Sequence, residues 1–352
     1  MNAVMPLVAA LLCSAHLASQ VPPERMQAIY EEVKTPYKVG IVLPAPEGKM
    51  VDCPTVFRYK DRWYMVYVQL EGEPQGYTTQ LAASDDLIHW EPIGTLLERG
   101  PQGAWDSANV GGGIGLVDPN WGGDCRPMSY DGKYWISYLG GAIPGYERPP
   151  LCIGIAYAND PTRLDGWQRL PEPVLRPNDP DARPFETEVL FKSHILYDQA
   201  KTLGAPFVMF YNARPPRGDE TILMAISDDM RRWRRYGEKP IIAHPRPAGL
   251  RHGVISGDPQ VVRMGDLWVM FYFGAFWRPK AFDTFAASYD LVNWTCWDGP
   301  TLIEPSEPWD QQFAHKPWLI KHNGVVYHFY CAVGSKGRAI ALATSRPVEV
   351  AR

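Results

Sequence analysis

One phrase is repeated five times along the chain, and this repeat limits the possible folds more than any other feature. Each copy contains an apolar or alternating run rich in β-forming residues that ends in an aromatic side chain, such as RWYMVY or LWVMFY. The five closing residues are Tyr67, Tyr138, Tyr211, Tyr272 and Tyr330. Such runs are typical of buried β-strands, and self-similarity of this kind indicates a repeat architecture.

A second anchor, a tryptophan, follows each of the first four tyrosines. It ends the segments SDDLIHW, NDPTRLDGW, SDDMRRW and SYDLVNW, at Trp90, Trp167, Trp233 and Trp294. A third apolar run, such as TTQLAAS or TILMAIS, lies between the two anchors, so each unit contains four strand segments. Helical periodicity is nearly absent after PERMQAIYEEVK.

Five units of this kind predict an all-β chain folded as a five-bladed β-propeller of four-stranded antiparallel blades. The blades are expected near residues 51–97, 121–175, 186–240, 257–302 and 313–346. The glycine run GGGIG, which begins at Gly111, is expected to form an inter-blade loop. A β-sandwich does not account for the same four-part pattern five times over.

Composition and the N-terminal segment narrow the class of protein. The chain has 35 Lys and Arg against 39 Asp and Glu, which gives no reason to expect a nucleic-acid or anionic-membrane partner. Residues 1–20 are apolar from Val4 to Cys13, too short for a membrane span, and predict a secretory signal and a secreted or periplasmic protein. Residues 21–45 are expected to form an N-terminal extension that packs outside the ring or helps to close it. Residues 46–352 are expected to form the single propeller domain.

Ionisable residues recur at one position of the repeat. Aligning the units on their tyrosines superimposes the dipeptides that precede Pro54, Pro259 and Pro317. These dipeptides are Asp52–Cys53, Gly257–Asp258 and His315–Lys316. In the second unit the alignment places Asp124 at this position, and the third unit carries Glu186 and Glu188 just upstream of its first strand.

The inner strands of a propeller converge on its axis, so these residues are expected to line one mouth of the central channel with at least one of the two glutamates. Aspartates at strand starts often only cap turns. Ionisable groups are costly to bury unless they are paired or used. A whole ring of them therefore predicts a functional site.

Carboxylates that face each other across a sugar-sized pocket can cleave a glycosidic bond. One stays ionised and activates water or attacks carbon, while the other stays protonated and donates to the leaving oxygen. Interior aromatic residues, with Arg126 and Lys316, can position sugar hydroxyls. Trp105 and Asp106 in WDSANVGG, and Asp310 in EPWDQQFAHK, lie in loops that lead into the next blade and are further candidates for the pocket lining.

The fivefold pattern, with DCPTVF opening the first unit, resembles the propeller glycosidases of glycoside hydrolase families 43, 32 and 117. The resemblance extends over nearly the whole chain, from about residue 38 to residue 346. It implies that Asp52 is the base or nucleophile, that Asp124 tunes a pKa, and that Glu186 is the acid, with Glu188 as the second choice.

The resemblance leaves the acid open. Neither glutamate lies in the Glu-Gly-Pro setting usual for family 43. Family 117 includes a histidine among its catalytic groups, so His315 and His194 stay as alternatives.

Two other functions are compatible with the sequence. A propeller phosphorylase would need basic residues for phosphate, and the candidates are Arg126, Lys192, Arg251 and Lys316. A non-catalytic carbohydrate-binding propeller would use its acids only to accept hydrogen bonds from hydroxyls. The sequence implies no cofactor, although Ca²⁺ at the axis would suit oxygen ligands. Carbohydrate is the expected partner, with no nucleic acid, membrane span or protein partner.

Overall fold

The computed structural model describes residues 20–72 and 75–348 and confirms the five-bladed β-propeller. The predicted secretory signal lies, apart from Gln20, outside the described residues and stays a prediction. The described chain begins with helix α1 (Pro23–Val33) and strand β1 (Tyr37–Leu43). None of its helices has the length and apolar character that crossing a bilayer would require.

Each blade is a four-stranded antiparallel sheet. Blade one contains β2 (Met50–Tyr59), β3 (Arg62–Leu70), β4 (Tyr77–Ser84) and β5 (Glu91–Leu97). Blade two contains β6 (Asn109–Ile114), β7 (Tyr134–Gly141), β8 (Cys152–Ala158) and β9 (Gln168–Arg169). Blade three contains β10 (Val189–Tyr197), β11 (Phe207–Arg214), β12 (Thr221–Ser227) and β13 (Arg234–Tyr236). Blade four contains β14 (Ile255–Met264), β15 (Leu267–Ala275), β16 (Phe282–Ser288) and β17 (Thr295–Cys296). Blade five contains β18 (Phe313–His322), β19 (Val325–Gly334) and β20 (Gly337–Thr344).

The fourth strand of blade five is β1, from the opposite end of the chain. It pairs with β20 in antiparallel register, from Tyr37 opposite Thr344 onwards. Residues 37–43 therefore belong to the propeller itself and close its ring, one of the two roles expected for the N-terminal segment. Helix α1 buries Met26, Ile29 and Val33 against the apolar side chains of blades four and five.

The repeated serine-to-tryptophan phrase is a turn that joins the third strand of a blade to the fourth. In blade one the Ser84 hydroxyl accepts a hydrogen bond from the backbone N–H of Leu87, whose φ is 70°. The indole N–H of Trp90 donates back to the carbonyl oxygen of Leu87. Blades three and four repeat both contacts at Met230 and Leu291. The phrase thus recurs because it ends one strand and aims the next.

A β-bulge at one equivalent position of the inner strands confirms the alignment on proline. The register shifts after Asp52, Gly257 and His315, and also in β10. The bulged residues that precede the prolines have positive φ angles; they are Cys53 (51°), Asp258 (50°) and Lys316 (64°). The prolines have no N–H to donate, and a bulge redirects the side chains around it. Three blades therefore present polar side chains at the same mouth.

Blade two corrects the sequence prediction, because its inner strand is the glycine run itself. Strand β6 pairs with β7 from Asn109 to Ile114, so the blade begins there and not near residue 121. A Cβ added at Gly112 would lie 3.0 Å from Ile136 and 3.1 Å from Thr79, and one at Gly113 would lie 3.0 Å from Thr55. The glycines allow β6 to pack closely against its neighbours, which a reading as a flexible loop overlooks.

Candidate active site

One mouth of the propeller contains a cavity of about 240 Å³, which we call the axial compartment. A single water needs about 10–15 Å³, so the cavity has room for a small ligand. Its polar lining consists of Asp52, Glu147, Lys192, Asn212, Glu220, Asp258, His315, Lys316 and Arg338. Its aromatic lining consists of Tyr77, Tyr146, Phe191, Phe273, Phe276 and Phe313. The register predicted the convergence of four of these residues, namely Asp52, Asp258, His315 and Lys316.

Asp52 is a buried carboxylate with both oxygens engaged. Its Oδ2 accepts hydrogen bonds from Lys316 Nζ at 2.8 Å and from Arg338 Nη1 at 2.5 Å. Its Oδ1 accepts from the backbone N–H of Cys53 at 2.9 Å. Burial would raise the pKa of Asp52, but the two cations hold it well below its usual range. This carboxylate is ionised and is a weak base.

Asp258 has a buried oxygen that still needs a partner. Its Oδ2 has no hydrogen-bond partner among the described residues, and the Lys192 ammonium lies 3.9 Å away. An unpaired buried oxygen costs about 1–3 kcal/mol or more. Because Asp258 lines the axial compartment, a ligand hydroxyl can supply the missing hydrogen bond.

Glu220 is the carboxyl group best suited to remain protonated. It lies just before β12, and Asn212 Nδ2 donates to its Oε1 at 2.5 Å. Burial and the charge of Glu147 raise the pKa of Glu220 to about 8. At neutral pH it therefore holds a proton that it can donate.

Glu147 lies in the loop between β7 and β8 and has a φ of 49°, a region that few non-glycine residues adopt. Burial raises the pKa of its carboxyl group. Strained backbone of this kind is concentrated at functional sites. The loop, GGAIPGYERPP, had been expected from the sequence to set the depth of the pocket.

A second cavity, which we call the outer compartment, adjoins the first and has a volume of about 440 Å³. The two compartments share Glu147, Glu220, Ile255 and Phe276. The rest of the outer compartment is lined by Arg214, Arg217, Gly218, Arg251, His252, Gly253 and Val254. Glu147 and Glu220 are thus the two carboxylates that stand where the compartments meet.

Glu186, the acid implied by the family resemblance, lies in a different place. It is fully buried, accepts a 2.6 Å hydrogen bond from the Tyr211 hydroxyl, and pairs with Arg183 at 2.8 Å and Arg235 at 2.9 Å. Burial would raise the pKa of Glu186, but Arg183 and Tyr211 keep it lowered. It lines neither compartment. Its expected position at the mouth is therefore corrected.

The same contact occurs in two other blades and explains three acids together. Asp106 accepts from the Tyr138 hydroxyl and pairs with Arg169, and Asp310 accepts from the Tyr330 hydroxyl and pairs with Lys38. Like Glu186, each acid comes three residues before an inner strand. It ties the tyrosine of the second strand to a cation on the fourth. We call this contact the tyrosine latch. Trp105 stacks on Tyr138 with ring centroids 5.6 Å apart, so it too packs inside blade two.

The remaining candidates from the sequence also lie outside the axial compartment. Asp124 and Arg126 form an exposed pair at 3.3 Å in the connection between β6 and β7, because blade two begins earlier than the alignment assumed. Glu188 pairs with Arg214 at 2.6 Å, beside the outer compartment. Burial lowers the pKa of His194 to about 3, and this side chain lines neither compartment.

His315 does line the axial compartment, and its protonation state is set by its surroundings. Burial and the charge of Lys316 lower its pKa to about 3. Its Nδ1 lies 3.1 Å from the carbonyl oxygen of Cys331. The ring is neutral at physiological pH and serves better as a hydrogen-bonding group than as an acid.

The axial side chains do not form a metal site. Within residues 20–72 and 75–348, no three or more His, Cys, Asp or Glu side chains are grouped so that they could hold a metal ion. No residue is therefore assigned to the Ca²⁺ that the sequence allowed. The five cysteines in this part of the chain are free thiols.

No protein-family model and no curated protein sequence matches the chain. Two solved structures are 46% identical to it and cover 95% of it and 98% of their own length. One is described as a complex of BT0996 with RGII, with a TM-score of 0.89, and the other as a glycoside hydrolase, with a TM-score of 0.88. A thermostable family-43 glycoside hydrolase, at 14% identity, a TM-score of 0.62, and coverage of 88% of this chain and 97% of its own, shares the fold.

Proposed function

Because the chain belongs to the glycoside hydrolases built on a five-bladed β-propeller, we propose that it cleaves a glycosidic bond held between its two compartments. The sugar to be released lies in the axial compartment and the leaving group in the outer compartment. The observation that carries this proposal is the position of Glu147 and Glu220, which line both cavities. A bond that crosses the junction passes between these two carboxyl groups.

Glu220 is the acid in this proposal. It enters the reaction protonated, since its pKa is about 8. It transfers that proton to the glycosidic oxygen as the bond from the anomeric carbon to oxygen breaks. Glu147 enters ionised and either takes a proton from the attacking water or attacks the anomeric carbon itself. Measuring the anomer released first, by NMR, separates these two courses.

Asp52 changes role relative to the sequence prediction. Its oxygens are held by Lys316, Arg338 and the Cys53 N–H, so it has little capacity to take up a further proton. With its two cations it forms a charged wall of the axial compartment that can fix sugar hydroxyls. Asp258, with an unpaired oxygen, and neutral His315 add further hydrogen-bonding groups.

The test is release of free sugar from oligosaccharides and aryl glycosides by the purified protein. The RGII named for the 46% identical complex is the first carbohydrate to assay. Glu220→Gln and Glu147→Gln should each lower turnover by about 10²–10⁴-fold. Glu172→Gln is the control, because Glu172 is exposed and pairs only with Arg176. Sugar phosphate formed only when phosphate is added would indicate a phosphorylase instead, and binding without turnover a carbohydrate-binding module.

A further inference from the structure

The outer compartment carries positive charge that the rest of the protein does not neutralise. Arg214, Arg217 and Arg251 line it. Arg214 pairs with Glu188 at 2.6 Å. Arg217 and Arg251 are exposed, and neither forms an ion pair or hydrogen bond with another residue that the structure describes. Two guanidinium groups are therefore available to a ligand.

The two loops that carry these arginines are fixed against each other. A Cβ added at Gly253 would lie 2.0 Å from the carbonyl oxygen of Gly218, so the two backbones are in direct contact. The Asp219 carboxylate accepts from the N–H of Val254 at 3.0 Å, and the Glu220 N–H donates to the Val254 carbonyl at 2.9 Å. These contacts hold both arginines and the proposed acid on one frame. Such preorganisation lowers the cost of binding.

The other walls of the outer compartment fit a sugar ring better than a bare inorganic anion. His252 packs edge-on against Phe276 with ring centroids 4.5 Å apart, and Val254 and Ile255 add aliphatic surface. Ligand sites commonly combine such apolar walls with a few fixed polar groups. A free phosphate would leave most of the 440 Å³ unfilled. The planar guanidinium fork also matches the two oxygens of a carboxylate.

We propose that the outer compartment binds the carboxylate of an acidic sugar, such as a uronic acid, through Arg217 and Arg251. The substrate is then a glycoside in which a neighbouring residue, on the leaving-group side, is acidic. Assigning that side rests on the proposed function. The preference of the compartment for a sugar carboxylate does not.

The experiment compares sugars that differ only at C6. Methyl β-D-glucopyranosiduronate and methyl β-D-glucopyranoside, and the two galacto-configured counterparts, are titrated into the protein by calorimetry. In at least one pair the uronoside should bind at least tenfold more tightly than its neutral twin. This preference should fall below about threefold in the double variant Arg217→Gln, Arg251→Gln, and should weaken as the salt concentration is raised. Arg163→Gln is the matched control, since Arg163 is exposed, pairs with Asp165 and lines neither compartment.

Equal affinities within both pairs, or a preference that survives in the double variant, would overturn the proposal. Inorganic phosphate that binds more tightly than either uronoside would overturn it as well. The single variants Arg217→Gln and Arg251→Gln provide the same test if the double variant unfolds. Glycoside hydrolysis is assayed separately. Arginine-dependent uronoside binding without turnover would remove the proposed function and leave the acidic-sugar site, whereas turnover without such binding would do the reverse.

Discussion

The side-chain amide of Asn212 donates to Glu220 and accepts from the backbone of Asp258. The distances are 2.5 Å from Nδ2 to Glu220 Oε1 and 3.1 Å from the Asp258 N–H to Oδ1. Because the oxygen is held by an N–H, the amide can present only its NH₂ group to the glutamate. Burial and the charge of Glu147 raise the pKa of Glu220, and this hydrogen bond lowers it, with a result of about 8.

Replacing Asn212 should therefore move the pH profile. Asn212→Leu removes the donor that favours the ionised form of Glu220, so the alkaline limb of kcat/KM should shift above about 8. The pH dependence of kcat/KM measures this directly. Asn159→Ala is the control, at an exposed site bonded to Lys133. An alkaline limb that stays in place or moves down would contradict the assignment of Glu220 as the acid.

The need for an acid should depend on the leaving group. Glu220→Gln should slow hydrolysis of alkyl glycosides by about 10²–10⁴-fold. It should slow nitrophenyl glycosides much less, since a nitrophenolate departs without protonation. Glu147→Gln should slow both classes alike. Equal losses in Glu220→Gln for both classes of substrate would remove this residue as the proton donor.

The raised pKa of Glu220 also makes the free energy of unfolding depend on pH. An unfolded glutamate titrates near 4.3, whereas folded Glu220 keeps its proton up to about 8. Between these values the folded state binds more protons, so this group lowers stability as the pH rises and has no effect below about 4.3. Glu220→Gln should gain stability relative to the parent between pH 5 and pH 8, by on the order of a few kcal/mol. Urea unfolding at both pH values tests this, and a constant difference between the proteins would refute it.

Glu186 should matter for stability and not for chemistry. Glu186→Gln leaves Arg183 and Arg235 without their buried partner, and breaking a buried pair in this way costs about 3–5 kcal/mol. Below the unfolding transition, kcat should remain within about threefold of the parent, since Glu186 lines neither compartment. Thermal unfolding and kinetics on one preparation give both values, with Glu172→Gln as control. A large loss of kcat at unchanged stability would return the acid role to Glu186.

Asp52→Asn should destabilise the fold by a similar amount, because Lys316 and Arg338 then lose their shared anion. As a residue that holds the sugar, Asp52 should affect KM at least as strongly as kcat. The double variant Asp52→Asn, Lys316→Met, which removes one of the two stranded charges, should recover part of the stability. A kcat loss of several orders of magnitude with unchanged KM would instead support the base role implied by the family resemblance.

The sequence allowed the blades to be predicted because local patterns determine them. The strand runs, the serine-to-tryptophan turns and the bulged dipeptides before proline all recur at fixed spacing, and the structure places Asp52, Asp258, His315 and Lys316 accordingly. Blade two was misplaced because β6 is rich in glycine and carries no such dipeptide. Its register could not be recognised from side chains that it does not have.

Glu147 and Glu220 escaped prediction because they lie outside the inner strands. In an antiparallel blade the loop from the second strand to the third lies at the same end as the start of the first strand. Both glutamates lie in such loops, in GGAIPGYERPP and in RPPRGDET. A search of those loops for acids would have found them. The latch acids could not be distinguished from pocket acids, because an acid three residues before an inner strand can turn inward or toward its own tyrosine.

The pairing of β1 with β20 joins residues that are 307 positions apart. A ribosome that adds about 5–20 residues per second makes β20 roughly 15–60 s after β1. Blades one to four can fold from neighbouring segments as they emerge, but the strand made first must wait for the blade made last. A nascent chain halted before that blade would carry β1 as an unpaired edge, which invites pairing with other chains. The seam thus makes a closed ring a sign that translation has reached the last blade.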